Sequence, residues 1–144
     1  MPELPEIAVY LEALERRIVP STIDEIRISS FSLLRTYDPP VTSVSGAAVV
    51  GLSRVGKRIV VHLEDQVALV IHLMVAGRLH WHDEPPTIPK RRGLASFDFS
   101  TGSILLTEAG TKRRASLHIV REPEGLAALD PGGIEVATAT PEQF

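Results

Sequence analysis

The chain has 144 residues, of which 44% are hydrophobic and 23% charged, and its formal net charge is −3. This is the composition of one ordinary globular domain, and the absence of cysteine excludes a disulfide framework or a cysteine zinc site within the sequence. No apolar run approaches about 18 residues and no export leader is present. We therefore expect a cytoplasmic protein that does not span a membrane.

The cations are concentrated in the middle of this acidic chain. Residues 54 to 121 carry eleven Lys and Arg against six Asp and Glu. Clustered cations on an acidic chain indicate a local site for a polyanion, although solvated strand ends and turns would explain any one cluster. Nine of the fifteen cations form three clusters: Arg54, Lys57 and Arg58; Lys90, Arg91 and Arg92; Lys112, Arg113 and Arg114.

The first predicted element is a helix that begins at Pro5 and ends near Val19. Proline suits the first helical position, where its missing N–H would have no partner, and Glu6 complements the positive helix end. Apolar residues recur at steps of four, three and four, which is typical of one helix face. They are Ile7, Leu11, Leu14 and Ile18.

Short strands are predicted through the rest of the chain. Glu64 to Gln66 separate the second and third of them as a hairpin turn, and Thr101 with Gly102 forms another tight turn. Residues 122–129 favour a short helix. The strands are predicted at 23–28, 58–63, 67–74, 79–81, 95–99, 104–107 and 117–120. This pattern predicts an α+β, mostly β domain: a two-sheet antiparallel β-sandwich flanked by an N-terminal helix and a short C-terminal helix.

The opening sequence MPELPE offers chemistry beyond a helix start. Aminopeptidases normally remove Met1 before a proline, which leaves a free secondary amine at Pro2. The pKa of an α-amino group is about 8, against about 10.4 for a lysine side chain. Pro2 is therefore a ready nucleophile toward an aldehyde-level carbon. Glu3, one residue away, can move protons. The tautomerases use an N-terminal proline as a base instead, but their chains begin in a strand.

Three stretches carry a family resemblance: MPELPE before a helix, GKRIV at 56–60 and HLMVAGRL at 72–79. Together they resemble the formamidopyrimidine-DNA glycosylase and endonuclease VIII family, with looser matches at TKRRAS (111–116) and LDPGGIEV (129–136). The resemblance spans nearly the whole chain. It implies that residues 1–136 form the family's N-terminal catalytic β-sandwich domain. Residues 137–144 would then begin a linker to an absent helix-two-turn-helix and finger region.

The resemblance implies a bifunctional base-excision repair enzyme that flips a damaged nucleotide out of double-stranded DNA containing oxidised bases or abasic sites. Pro2 would be the nucleophile that forms a Schiff base with the sugar, followed by β,δ-elimination. Glu3 would protonate the sugar, and Lys57 would assist proton transfer in the elimination. The residues carried over as DNA contacts are Arg92, Arg113, Arg114, Met74 and Val75.

Two departures concern the apolar side chains that the family inserts into the duplex. The family's methionine position is Val75 here, with Met74 shifted by one, and its phenylalanine position is Ala115. These departures leave the preference for oxidised purines or pyrimidines open. They also keep an alternative open, namely a family member that binds DNA or a protein partner without catalysis.

The sequence predicts no cofactor within the chain. His72, His80 and His82 lack the acidic or cysteine neighbours that would complete a metal site, so any zinc would belong to the finger in the missing C-terminal part. We expect a monomer in the bacterial cytoplasm, associated with the nucleoid. Because the missing part would supply about half of the phosphate contacts, we expect weak binding and little glycosylase activity from these residues alone.

Overall fold

The computed structural model describes residues 4–129, which form a helix, eight strands and a second short helix. The predicted mostly β class, flanked by an N-terminal and a short C-terminal helix, is confirmed. Within residues 4–129, no helix is long and apolar enough to cross a bilayer. The elements are α1 (Leu4–Ile18), β1 (Ser21–Ile28), β2 (Ala47–Val55), β3 (Arg58–Leu63), β4 (Val67–His72), β5 (Gly77–His82), β6 (Gly93–Phe99), β7 (Gly102–Glu108), β8 (Ser116–Arg121) and α2 (Glu124–Ala128).

The eight strands hydrogen bond as one antiparallel sheet, in the order β5-β7-β6-β1-β2-β3-β4-β8. The two sheets of the predicted sandwich are therefore joined into one continuous sheet. Bulges interrupt the register of β1 after Ile23 and of β2 after Val49, and bulges bend and twist a strand. Side chains from both halves of the sheet, such as Ile71 and Phe97, belong to one buried core. The sheet thus folds around this main core, and a smaller buried cluster that includes Val60 lies on the other face of its strand.

The sequence pattern missed β2 but found the other strands to within a few residues. In the segment AAVVGLSRV, four apolar residues in succession are followed by a glycine, so apolar and polar residues do not alternate. Most of its side chains are only half-buried. Pairing with β1 and β3 makes this segment a strand. The strand predicted at 67–74 ends earlier, at His72, because a tight turn follows.

Helix α1 packs its predicted apolar face on the core. Ile7, Leu14 and Ile18 are buried, and Leu11 is half-buried against the same cluster. The opposite face of the helix is exposed and carries Glu12, which makes an exposed ion pair with Arg16.

Two contacts fix the direction of α1 along β5. Tyr10 Oη accepts a hydrogen bond from the backbone N–H of Leu79 at 3.4 Å, and the Arg17 guanidinium lies 4.9 Å from the centre of the Trp81 ring. The helix and the strand therefore run in the same direction. Leu4 lies six residues before Tyr10, about 9 Å along the helix axis. The N-terminal end of α1 is thus directed toward the turn that precedes β5.

Candidate nucleic-acid interface

The turn between β4 and β5 presents Val75 to solvent. Met74 has a positive φ of 60°, and the backbone N–H of Gly77 donates to the carbonyl of Leu73 at 3.0 Å. A Cβ at Gly77 would lie 2.3 Å from that oxygen, so a residue with a side chain does not fit without a shift of the backbone. Val75 is 59% exposed, whereas Met74 is half-buried. At the family's methionine position, Val75 is therefore more exposed than Met74, the methionine shifted by one.

The loop between β7 and β8 is held from inside by Glu108. This residue is 1% exposed, and its carboxylate accepts the backbone N–H groups of Arg114, at 3.0 and 3.1 Å, and of Ala115, at 3.0 Å. Hydrogen bonds to an ionised acceptor are stronger than neutral ones, so this end of the loop is firmly anchored. Ala115 is itself 2% exposed, and its methyl group packs in the core.

Arg113 joins this loop to the segment before β6. Its guanidinium donates to the backbone carbonyls of Glu108, at 2.9 Å, and of Gly110 and Arg91. The N–H of Glu108 also donates to the carbonyl of Arg92, at 2.9 Å. Two of the three cation clusters, 90–92 and 112–114, are therefore adjacent. Arg113 has a bracing role that its sequence position did not indicate, and its predicted contact with DNA stays a prediction.

The Val75 turn and the β7–β8 loop face each other across an open groove of about 420 Å³. Val75 and Met74 supply an apolar wall, and Lys112 and Arg114 supply a cationic wall. The side chains of Lys112, Arg114 and nearby Arg92 are exposed. The structure therefore brings three of the residues predicted to contact DNA, Met74, Val75 and Arg114, into one groove. Its lining is Met74, Val75, Ala76, Glu108, Ala109, Gly110, Thr111, Lys112 and Arg114.

Lys57 lies in the hairpin turn between β2 and β3. Gly56 and Lys57 form this two-residue turn, in which Gly56 has a φ of 60°. The pairing of β3 with β4 places Ile59 opposite Ile71, so Arg58 and His72, the next residue on each strand, lie at the same end of the pair. Burial lowers the pKa of His72, and the positive charges of Arg58, His118 and Lys57 lower it further. Lys57 is thus within electrostatic reach of His72, at the same end of β4.

Pro2 and Glu3, the predicted nucleophile and acid, lie outside the described residues, as do Asp130 and the rest of the chain to Phe144. The predicted domain end at residue 136 and the linker over 137–144 are therefore untested. Helix α1 begins at Leu4, and its N-terminal end is directed toward the side of the domain that carries the Val75 turn.

His80 is one of the histidines for which the sequence predicts no metal site, and it pairs with a threonine. His80 Nε2 lies 2.9 Å from Thr107 Oγ1 on the paired strand β7. Among the described residues, 4–129, no group of three His, Cys, Asp or Glu side chains is placed to hold a metal ion.

Sequence reasoning missed Glu108 and, for Arg113, the bracing role, and both shape the groove's cationic wall from behind. Glu108 anchors the loop, and Arg113 braces it, through hydrogen bonds to backbone atoms. Such bonds leave no pattern of residue types in the sequence. The available signal was an acidic residue at the end of a predicted strand and directly before a cation-rich loop.

Comparison with known proteins agrees with this architecture. Residues 1–116 match the family model described as the formamidopyrimidine-DNA glycosylase N-terminal domain. Curated relatives named formamidopyrimidine-DNA glycosylase include that of Moorella thermoacetica, 28% identical over 145 residues, covering 95% of this chain and 52% of the relative. That of Rhodococcus opacus is 35% identical over 99 residues, covering 65% and 34%. The chain thus spans about half the length, or less, of these relatives.

Solved structures share the fold. The Lactococcus lactis enzyme in complex with Fapy-dG-containing DNA superposes with a TM-score of 0.76 at 20% identity, covering 88% of this chain and 47% of the other. The same enzyme bound non-covalently to DNA with an abasic site also has a TM-score of 0.76 at 20% identity, covering 88% and 48%. On the match to residues 1–116, the chain belongs to the formamidopyrimidine-DNA glycosylase family, in the part that forms its N-terminal domain.

Proposed function

We propose that this chain is the catalytic N-terminal part of a DNA base-excision repair enzyme that removes oxidised bases and cleaves the resulting abasic site. The observation that carries the proposal is the convergence of the Val75 turn and the Lys112–Arg114 loop on one groove, on the side toward which α1 is directed. Pro2 precedes this helix by two residues in the sequence.

The groove suits a nucleic acid on two grounds. Exposed cations such as Lys112, Arg114 and Arg92 complement the phosphate backbone, and each phosphate contact adds affinity that falls with salt. Val75, at the tip of a turn held by a glycine, offers a small apolar group of the kind that enters the gap left by an extruded nucleotide. The solved structures of similar fold are complexes with Fapy-dG-containing or abasic DNA, which supports damaged DNA as the partner.

The proposed chemistry begins at the free amine of Pro2. Its nitrogen forms a bond to C1′ of the damaged nucleotide, the C1′–base bond breaks, and the leaving base takes the proton of the amine. Glu3 then supplies a proton to the ring oxygen O4′, and the C1′–O4′ bond breaks, which leaves an iminium group between Pro2 and C1′. The resulting iminium cation makes the C2′ hydrogen acidic. Lys57 assists removal of that proton, and the electron pair then expels the 3′ phosphate. Loss of the C4′ proton then expels the 5′ phosphate by cleavage of its bond to C5′, which completes β,δ-elimination.

Borohydride trapping tests this proposal. The protein with Met1 removed, verified by mass spectrometry, is mixed with an abasic duplex and sodium borohydride, which reduces a Schiff base to a stable amine. We expect a covalent adduct that peptide mapping assigns to Pro2. The matched control retains Met1, so that the Pro2 nitrogen is an amide without nucleophilic character. An adduct of equal yield on the Met1-retaining form, or none on the Met1-free form, contradicts the proposal.

A second candidate is a family member that binds damaged DNA without cleaving it. The burial of Ala115 favours this reading, because the position of the family's second wedge side chain holds a methyl group packed in the core. Binding to an abasic duplex without any trapped adduct would support this second candidate. The proposed location, for either candidate, is the bacterial cytoplasm and nucleoid, with the protein acting as a monomer.

A further inference from the structure

A second polar constellation, formed by Ser53, His62 and Glu122, lies away from the groove. Ser53 Oγ is 2.7 Å from His62 Nε2, and His62 Nδ1 is 2.8 Å from Glu122 Oε2. The proposed repair chemistry uses none of these three residues. Both distances are those of well-formed hydrogen bonds.

Three different elements place these side chains together. In the pairing of β2 with β3, His62 is opposite Gly51 and Ser53 is opposite Val60, so Ser53 and His62 are diagonal neighbours on one face of the sheet. Glu122 directly follows β8. Its backbone N–H donates to the carbonyl of Gln66 at 2.7 Å, which fixes it beside the end of the β3–β4 hairpin.

The hydrogen bonds fit one tautomer of a neutral His62 imidazole. An ionised carboxylate only accepts hydrogen bonds, so Nδ1 carries the proton and donates it to Glu122. Nε2 then has a free lone pair and accepts the hydroxyl hydrogen of Ser53. This is the order of donors and acceptors by which a carboxylate orients an imidazole to act as general base on a serine.

The constellation is accessible. The side chains of His62 and Glu122 are each 21% exposed, and Ser53 is half-buried. Gly51 has no side chain opposite His62, and no atom lies within 4 Å of the position that a Cβ would occupy there. The neighbouring Val60 belongs to a small apolar cluster on this face. Because Val60 is 0% exposed, the space open to a substrate is the free volume at Gly51, which suits a small acyl group.

We propose that Ser53, His62 and Glu122 form a nucleophilic site that accepts acyl groups from small uncharged esters. Ser53 Oγ forms a bond to the acyl carbon while its proton passes to His62 Nε2. The ester C–O bond then breaks, and the leaving alkoxide takes that proton from His62. Water releases the acyl group in the same way, with its proton passing through His62 and back to Ser53 Oγ.

The expected activity is slow. Each N–H donor that stabilises the oxyanion contributes a factor of about 10²–10³ to the rate of acyl transfer. Among residues 4–129, we identify no such donor beside Ser53. Stoichiometric labelling of Ser53 is therefore the appropriate measurement, and it does not depend on DNA or on the state of Pro2.

The test treats the protein with a fluorophosphonate probe and with p-nitrophenyl acetate, and peptide mass spectrometry locates the modified residue. We expect labelling at Ser53 at least tenfold above that of Ser100, an exposed serine whose Oγ accepts from the backbone N–H of Thr22. S53A should abolish this label. H62Q should reduce it at least tenfold, and E122Q should reduce it to a smaller extent.

Circular dichroism verifies that each variant is folded. Equal labelling of Ser53 and Ser100 in the unmodified protein would overturn the proposal even if every variant failed to fold. Labelling of Ser53 that a folded H62Q variant retains in full would also overturn it, since His62 would then not activate the hydroxyl. Failure of the borohydride experiment would leave this test unaffected.

Discussion

Both carboxylate oxygens of buried Glu108 accept the same backbone N–H, that of Arg114, at 3.1 and 3.0 Å. One of them also accepts the N–H of Ala115 at 3.0 Å. The conformation of the cationic loop therefore depends on an acceptor that comes from the strand before it.

We expect E108Q to lower the free energy of unfolding by about 1–3 kcal/mol, because a glutamine replaces one acceptor oxygen with an N–H₂ group that faces backbone donors. Urea denaturation measures this loss. Hydrogen exchange should also become faster at the amides of Arg114 and Ala115. E12Q on the exposed face of α1 is the control, expected within about 0.5 kcal/mol of the unmodified protein. Unchanged exchange at both amides would show that Glu108 does not anchor the loop.

Substitution of Arg113 should mainly lower the free energy of unfolding, whereas substitution of Arg114 should mainly weaken DNA binding. R113A removes three hydrogen bonds to backbone carbonyls, so we expect a loss of roughly 1–3 kcal/mol in unfolding free energy. R114A removes an exposed side chain and should leave stability within about 0.5 kcal/mol. Through loss of one phosphate contact, R114A should reduce the slope of log affinity against log salt by about 1.

These effects are measured by urea denaturation and by fluorescence anisotropy with a labelled duplex at several salt concentrations. A salt slope unaffected by R114A would place Arg114 outside the DNA contact.

Val75 should contribute to recognition of a gap in the duplex. V75A removes two carbon atoms, each contributing about 0.8 kcal/mol when buried, so affinity for an abasic duplex should fall by up to roughly tenfold. Affinity for an intact duplex should change less. V50A is a matched control, because Val50 is also a valine and is also 59% exposed, on β2 and outside the groove lining. Equal effects of the two substitutions would refute the wedge assignment.

Stability should depend on pH through two histidines. Burial and then the charge of Arg58 lower the pKa of both His72 and His118 below the ordinary value near 6.5. As the pH falls through 6.5, these two histidines therefore bind protons in the unfolded chain at a higher pH than in the folded chain. The free energy of unfolding should be constant above about pH 7 and should fall as the pH drops through 6.5 and down to the folded pKa values.

The double variant H72Q/H118Q checks this pH dependence. Urea denaturation between pH 8 and 5 should give a flatter profile for the variant than for the unmodified protein. Identical slopes in this range would assign the acid sensitivity to other groups.

Elements with a local signal could be predicted from the sequence. The apolar spacing of α1 predicted its buried face, and the residues from Glu64 to Gln66 predicted the hairpin between β3 and β4. The stretches MPELPE, GKRIV and HLMVAGRL also led to the family. Each of these features depends on neighbours within about ten residues, and such neighbours leave a readable pattern.

The remaining features arise from contacts between residues that are distant in the sequence. Strand pairing makes residues 47–55 a strand and joins all the strands into one sheet. Tertiary contacts also leave Val75 more exposed than Met74, and they give Arg113 its hydrogen bonds to backbone carbonyls. They also bring Ser53, His62 and Glu122 together from positions up to 69 residues apart. These outcomes depend on strand pairing and on bonds to backbone atoms of distant residues. Because every residue carries the same backbone groups, no local sequence pattern marks where such bonds will form.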